Sequence, residues 1–109
     1  MRREIRTPML FPPTFLNRDG RGLAQVANLS SHGALLCARS ALFLPGDTIA
    51  GWLQSLGIDG DEKFLVVVLN VRWARYDRKM GWDRLGCALQ LTDEHSLPAL
   101  RHLIENAGP

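Results

Sequence analysis

Two clusters of polar side chains near the start of the chain have the types and spacing to hold a small anion. Arg2, Arg3 and Arg6 crowd the first six residues, with Glu4 among them. An arginine guanidinium is a planar fork that pairs bidentately with phosphate or with a guanine edge, and its face stacks on a base. Arginines four apart on an irregular arm need not share a helix face; they can close on a ligand from opposite sides. The second cluster is Asn28, Leu29, Ser30, Ser31, His32 and Gly33, set between the apolar runs 23–27 and 34–38. Asn and Ser side chains bond nearby backbone and Gly accepts positive φ, so this stretch is expected to form a tight, fixed corner.

The rest of the composition narrows what those clusters can serve. At 109 residues the chain fits one domain with one core. It is 46% hydrophobic and 22% charged, as folded proteins are, and its net charge of +2 is too small for bulk nucleic-acid binding. The first 21 residues nevertheless hold Arg2, Arg3, Arg6, Arg18 and Arg21 against Glu4 and Asp19. A local positive cluster on a near-neutral body suits a small anion better than a polymer. Cys37 and Cys87 lie in apolar runs without CxxC spacing and are expected to be buried free thiols. No signal peptide is recognisable and no apolar run reaches the ~18 residues of a membrane span, so a cytoplasmic protein without membrane insertion is expected.

The elements that must carry the clusters are mostly strands. Residues 1–8 show no helical or strand period and are expected to form a flexible arm, followed by a single domain over residues 9–109. Residues 9–16 are interrupted by Pro12 and Pro13, which suits an edge or bulged strand. Asn17, Arg18, Asp19 and Gly20 then make a hairpin turn into a strand at 22–27. Further strands are expected at 34–38, 48–56, 63–76 and 84–91. In the longest, Leu65, Val67, Leu69, Val71 and Trp73 share one face. Phe64, Val66 and Val68 share the other before it turns polar at Asn70 and Arg72, which suggests cover on both faces in its first half. The chain closes with a helix, N-capped by Ser96, with Pro98 in its first turn, Gly108 at its end and an apolar stripe of Leu97, Leu100, Leu103 and Ile104. Six strands and one terminal helix predict an all-β fold, a small six-stranded antiparallel barrel with the helix over one opening.

The order and separation of Arg2 and Arg6 (Arg-x-x-x-Arg), then Asn28, Ser30 and Gly33 (Asn-x-Ser-x-x-Gly), resemble the PilZ domain, a bacterial receptor for cyclic di-GMP. That family has the barrel-and-helix architecture predicted above. The resemblance implies that Arg2, Arg3 and Arg6 bind the phosphates and guanines of the dinucleotide. Asn28 then takes a guanine edge, Ser30 a phosphate or base, and Gly33 keeps the pocket open. Trp73 stands where some members place an aromatic wall of the guanine pocket; a plain alternative is that it completes the apolar face of its strand. Asn28 replaces a commoner Asp and so removes a carboxylate from the site.

The resemblance implies a stand-alone receptor that relays cyclic di-GMP to a separate effector protein. The alternative is a PilZ-like interaction module, pilus or motility related, that binds no nucleotide. No resident cofactor is expected. Asp59 and Asp61 lack the further ligands of a calcium loop, and His95 and His102 lack a third ligand for zinc. No side chains form a nucleophile–base pair, so no enzymatic activity is expected.

Overall fold

The computed structural model describes residues 7–8, 13–56 and 62–107. Seven strands precede the helix: β1 (Thr7–Pro8), β2 (Thr14–Leu16), β3 (Gly22–Leu29), β4 (Gly33–Ala38), β5 (Thr48–Leu56), β6 (Glu62–Asp77) and β7 (Trp82–Leu91). A 3₁₀ turn (Glu94–Ser96) then runs into α1 (Leu97–Ala107). Six strands pair antiparallel in the order β3-β2-β5-β6-β7-β4, and the β3–β4 pairing closes the ring. The protein is therefore the six-stranded antiparallel barrel with a single terminal helix that the turn spacing predicts. β1 adds to β3 as a two-residue pairing, Thr7 with Leu29 and Pro8 with Asn28. Two residues are too few for any period to announce them.

Alternation builds the interior. Leu65, Val67, Leu69 and Val71 of β6 are buried, as are Leu85, Cys87 and Leu89 of β7, facing Phe15, Val26, Leu36 and Leu53. Leu100 of α1 is fully buried in the same cluster, with Leu97, Leu103 and Ile104 packed against it. Full burial of one such side chain stabilises by about 1.5–3 kcal/mol, so this stripe holds the helix on the barrel.

Two bulges interrupt the alternation. In β3, Val26 pairs with Leu36 and Asn28 with Leu35, leaving Ala27 as the extra residue. In β6, Val71 pairs with Cys87 and Trp73 with Gly86, leaving Arg72 extra. A bulge reverses the faces beyond it. Leu29 consequently enters the core and Asn28 does not, while Trp73 leaves the face of Val71 and Ala74 takes the inward place. The expectation that Trp73 shares the face of Leu65 to Val71 is thus corrected.

Three smaller corrections have equally local causes. The outer face of β6 has no cover in its first half among the described residues: Phe64 is 55% and Val66 43% exposed. The one described α-helix spends its stripe on the core. The helical turn starts at Asp93 rather than Ser96, because the Asp93 carboxylate accepts from the His95 N–H at 2.9 Å and so winds the chain three residues earlier. Gly108 lies outside the described residues. Finally, β3 extends through Leu29 and β4 begins at Gly33, so the turn itself is only residues 30–32.

Candidate ligand-binding face

The corner between β3 and β4 is fixed mainly by backbone. The Ser30 N–H donates to the Gly33 carbonyl at 2.9 Å, and the Ser30 hydroxyl reaches the same oxygen at 3.4 Å. Ser30 is buried. The Leu89 N–H donates to the His32 carbonyl at 2.9 Å and ties the corner to β7, while the His32 side chain is exposed with its Nδ1 3.1 Å from the Ser31 hydroxyl. Positive φ among the described glycines belongs to Gly20, Gly46 and Gly81, so Gly33 is not there for left-handed backbone. It is a buried strand residue paired with Ala88.

The register brings distant parts of the chain into one row. Asn28 pairs with Leu35, Leu35 with Gly86, and Gly86 with Trp73, across β3, β4, β7 and β6. With strands about 4.8 Å apart, that row is about 14 Å long on the outside of the barrel. Pro8 pairs with Asn28 at its far end. Trp73 is 40% exposed and lies across Gly86: a Cβ on Gly86 would overlap Nε1, Cε2 and Cζ2 of the indole. The Arg75 guanidinium sits over the same indole, 5.6 Å from its ring centroid, within cation–π range.

Asn28 is the group in this row with an unmet need. Its Oδ1 is buried without a hydrogen-bond partner, and it is the buried side-chain atom so left among the described residues. An unsatisfied buried acceptor costs about 1–3 kcal/mol, which a donor arriving with a ligand or an arginine would recover.

Of the residues singled out in the sequence, Asn28, Ser30, Gly33 and Trp73 lie on the outer side of β3, β4 and β6 or in the corner beside it. Arg2, Arg3 and Arg6 lie outside the described residues, as do Asp59 and Asp61. Thr7, which follows Arg6 in the chain, pairs with Leu29 next to Asn28. Sequence reasoning missed Gly86 and Leu35. A glycine inside the apolar run of β7 was the available signal, since such a glycine often marks close approach by another group.

The neighbouring outward row is Arg75, Arg84, Cys37 and Gln25. Cys37 is only half-buried, unlike the buried thiol expected. Partial burial raises its pKa, Arg84 opposes that rise, and Asp77 adds to it. Cys87, inside the barrel, is pushed up to about 11 by burial and is an inert core thiol. His95 Nδ1 lies 3.0 Å from the Asp93 carboxylate on the surface, and no group of three metal-binding side chains occurs among the described residues.

The class defined by this fold is a small closed antiparallel β-barrel with a terminal helix, carrying a half-exposed indole and a buried amide oxygen without a partner on its outer wall. The chain belongs to the PilZ family: the model of the PilZ domain matches residues 1–106, from the arginine cluster to the last turn of α1. Comparison with curated proteins gave no match. No described helix is long and apolar enough to cross a membrane.

Proposed function

We infer that this PilZ domain is a receptor for cyclic di-GMP. Arg2, Arg3 and Arg6 on an arm of residues 1–8 close over the outer wall of a barrel formed by residues 9–109. The carrying observation is the register row from Asn28 to Trp73, with β1 paired beside Asn28. The chain next to Arg6 thereby meets the strand that bears Asn28. The guanidinium forks take the phosphates and a guanine Hoogsteen edge. A guanine N–H donates to the buried Asn28 Oδ1 that lacks a partner. Ser30 faces a phosphate or base, Gly33 keeps side-chain bulk out of the corner, and the Trp73 indole walls a guanine. The reading is one of binding rather than catalysis, with no resident cofactor, in the cytoplasm.

Closure of the arm changes the surface offered to an effector protein, so ligand level becomes a contact signal. Calorimetric titration with cyclic di-GMP, beside GTP and GMP, tests the reading. Selective binding is expected, and Arg2→Ala or Arg6→Ala abolishes it while the far-ultraviolet spectrum stays that of a folded barrel. Unchanged affinity in both variants would refute the mechanism.

A second reading, a PilZ-like interaction module without a nucleotide, draws on the bare Phe64 and Val66 beside Trp52. It predicts no heat with any of the three nucleotides.

A further inference from the structure

Arg75 and Arg84 are directly opposite each other on the outside of β6 and β7, and both are exposed. Like charges in that relation repel and destabilise a sheet. No ion pair to either is found among the described residues. Of the acids nearest in sequence, Asp83 spends one carboxylate oxygen on the Ala41 N–H at 2.9 Å, and Asp77 spends one on the N–H groups of Lys79 and Met80, at 3.0 and 3.2 Å. The two arginines also line an open concavity of about 360 Å³ with Tyr76, Asp77, Arg78 and Lys79, four cations to one carboxylate. Along each strand they stand two residues from the Trp73–Gly86 pair, about 6.7 Å away on the same face. Arg75 already lies over the indole.

We propose that Arg75 and Arg84 form a phosphate-binding subsite beside the Trp73–Gly86 pair, engaging a phosphate of the ligand whose base lies against the indole. The inference rests on the receptor reading and deepens it. An anion between Arg75 and Arg84 also turns their mutual repulsion into two attractive pairs, so the subsite is favourable only when occupied.

Calorimetry with cyclic di-GMP on the full chain tests this with Arg75→Gln, Arg84→Gln, and Arg39→Gln and Arg101→Gln, exposed arginines outside that concavity, as charge-matched controls. Each subsite variant is expected to weaken binding by about tenfold, the loss of one charge-assisted hydrogen bond, and the controls by less than about twofold. Arg84→Gln, relieved of repulsion, is expected to melt no lower than the wild type. Cys37 supplies a second readout because it pairs with Arg84 in register. Saturating ligand should slow its modification by a thiol reagent in the wild type, and do so less in Arg84→Gln at equal occupancy. Equal losses in subsite and control variants would reduce the effect to general surface charge and overturn the subsite while leaving the receptor reading intact. A wild-type chain that binds no cyclic di-GMP would overturn both.

Discussion

On the outside of the barrel, β6 passes through two different surfaces. Its first half keeps strict alternation and turns Phe64, Val66 and Val68 outward beside Trp52 of β5, whose ring meets Phe64 edge-on at 6.3 Å and 73°. Its second half, beyond the extra residue Arg72, turns out Trp73 and Arg75 over Gly86 and Arg84 of β7. The first surface is an apolar ridge of side chains, each standing on its own strand. The second has a seat: a glycine without a Cβ leaves room for the indole against the neighbouring strand. Aromatic content is similar in both halves. What separates them is one inserted residue and one missing side chain.

Filling the seat is the sharpest way to break the difference. Gly86→Ala places a Cβ where indole atoms lie, so Trp73 must leave. Loss of base stacking costs about 1–3 kcal/mol of binding, and crowding costs about 1–3 kcal/mol of stability. Titration with cyclic di-GMP and urea unfolding should both move, which makes this the largest expected effect. Trp73→Ala is expected to lose the same binding, about 5- to 150-fold, with a smaller stability change because the ring is half-exposed. If Trp73→Ala binds as the wild type does while Gly86→Ala does not, the indole is only a plug and the base lies elsewhere.

The two halves also differ in how far the sequence discloses them. Strands β3 to β7 were legible because their inward positions repeat every second residue, and each turn is marked by Gly, Pro, Asn or Asp. Asn28, Ser30 and Gly33 were legible as a motif. Their placement was not, because a bulge adds one residue without a compositional trace. Parity counted from Val26 would put Asn28 inside, and parity counted from Val71 puts Trp73 there too. Gly86 was invisible for a related reason: its partner is 13 positions away and is set by register, not by proximity in the chain. The pairing of β1 is shorter than any period.

On the ridge, substitution is expected to change little that concerns the ligand. Phe64→Ala removes the edge-to-face pair with Trp52, worth about 0.5–1.5 kcal/mol, and should shift the urea midpoint slightly. Cyclic di-GMP affinity should stay within about twofold of the wild type, since Phe64 and Trp73 lie nine residues apart along β6, roughly 30 Å of strand. A loss comparable to that of Trp73→Ala would dissolve the distinction between the halves and extend the ligand face over β5.

The two thiols repeat the comparison across the wall of the barrel rather than along it. Burial lifts Cys87 from 9.0 to about 11, whereas Cys37 faces outward, where burial raises its pKa against the opposing charge of Arg84. In the unfolded chain Cys87 ionises at its ordinary value, so above pH 9 the unfolded state binds fewer protons than the folded one. Stability contributed by the neutral thiol is therefore fully present below pH 9 and is lost as pH rises towards 11. Urea unfolding of wild type and Cys87→Ala isolates it: wild type should lose more stability between about pH 7 and pH 10.5 than the variant. Parallel slopes would mean that Cys87 ionises as freely in the folded barrel as in the open chain, and that the interior behind the Trp73 wall is wet.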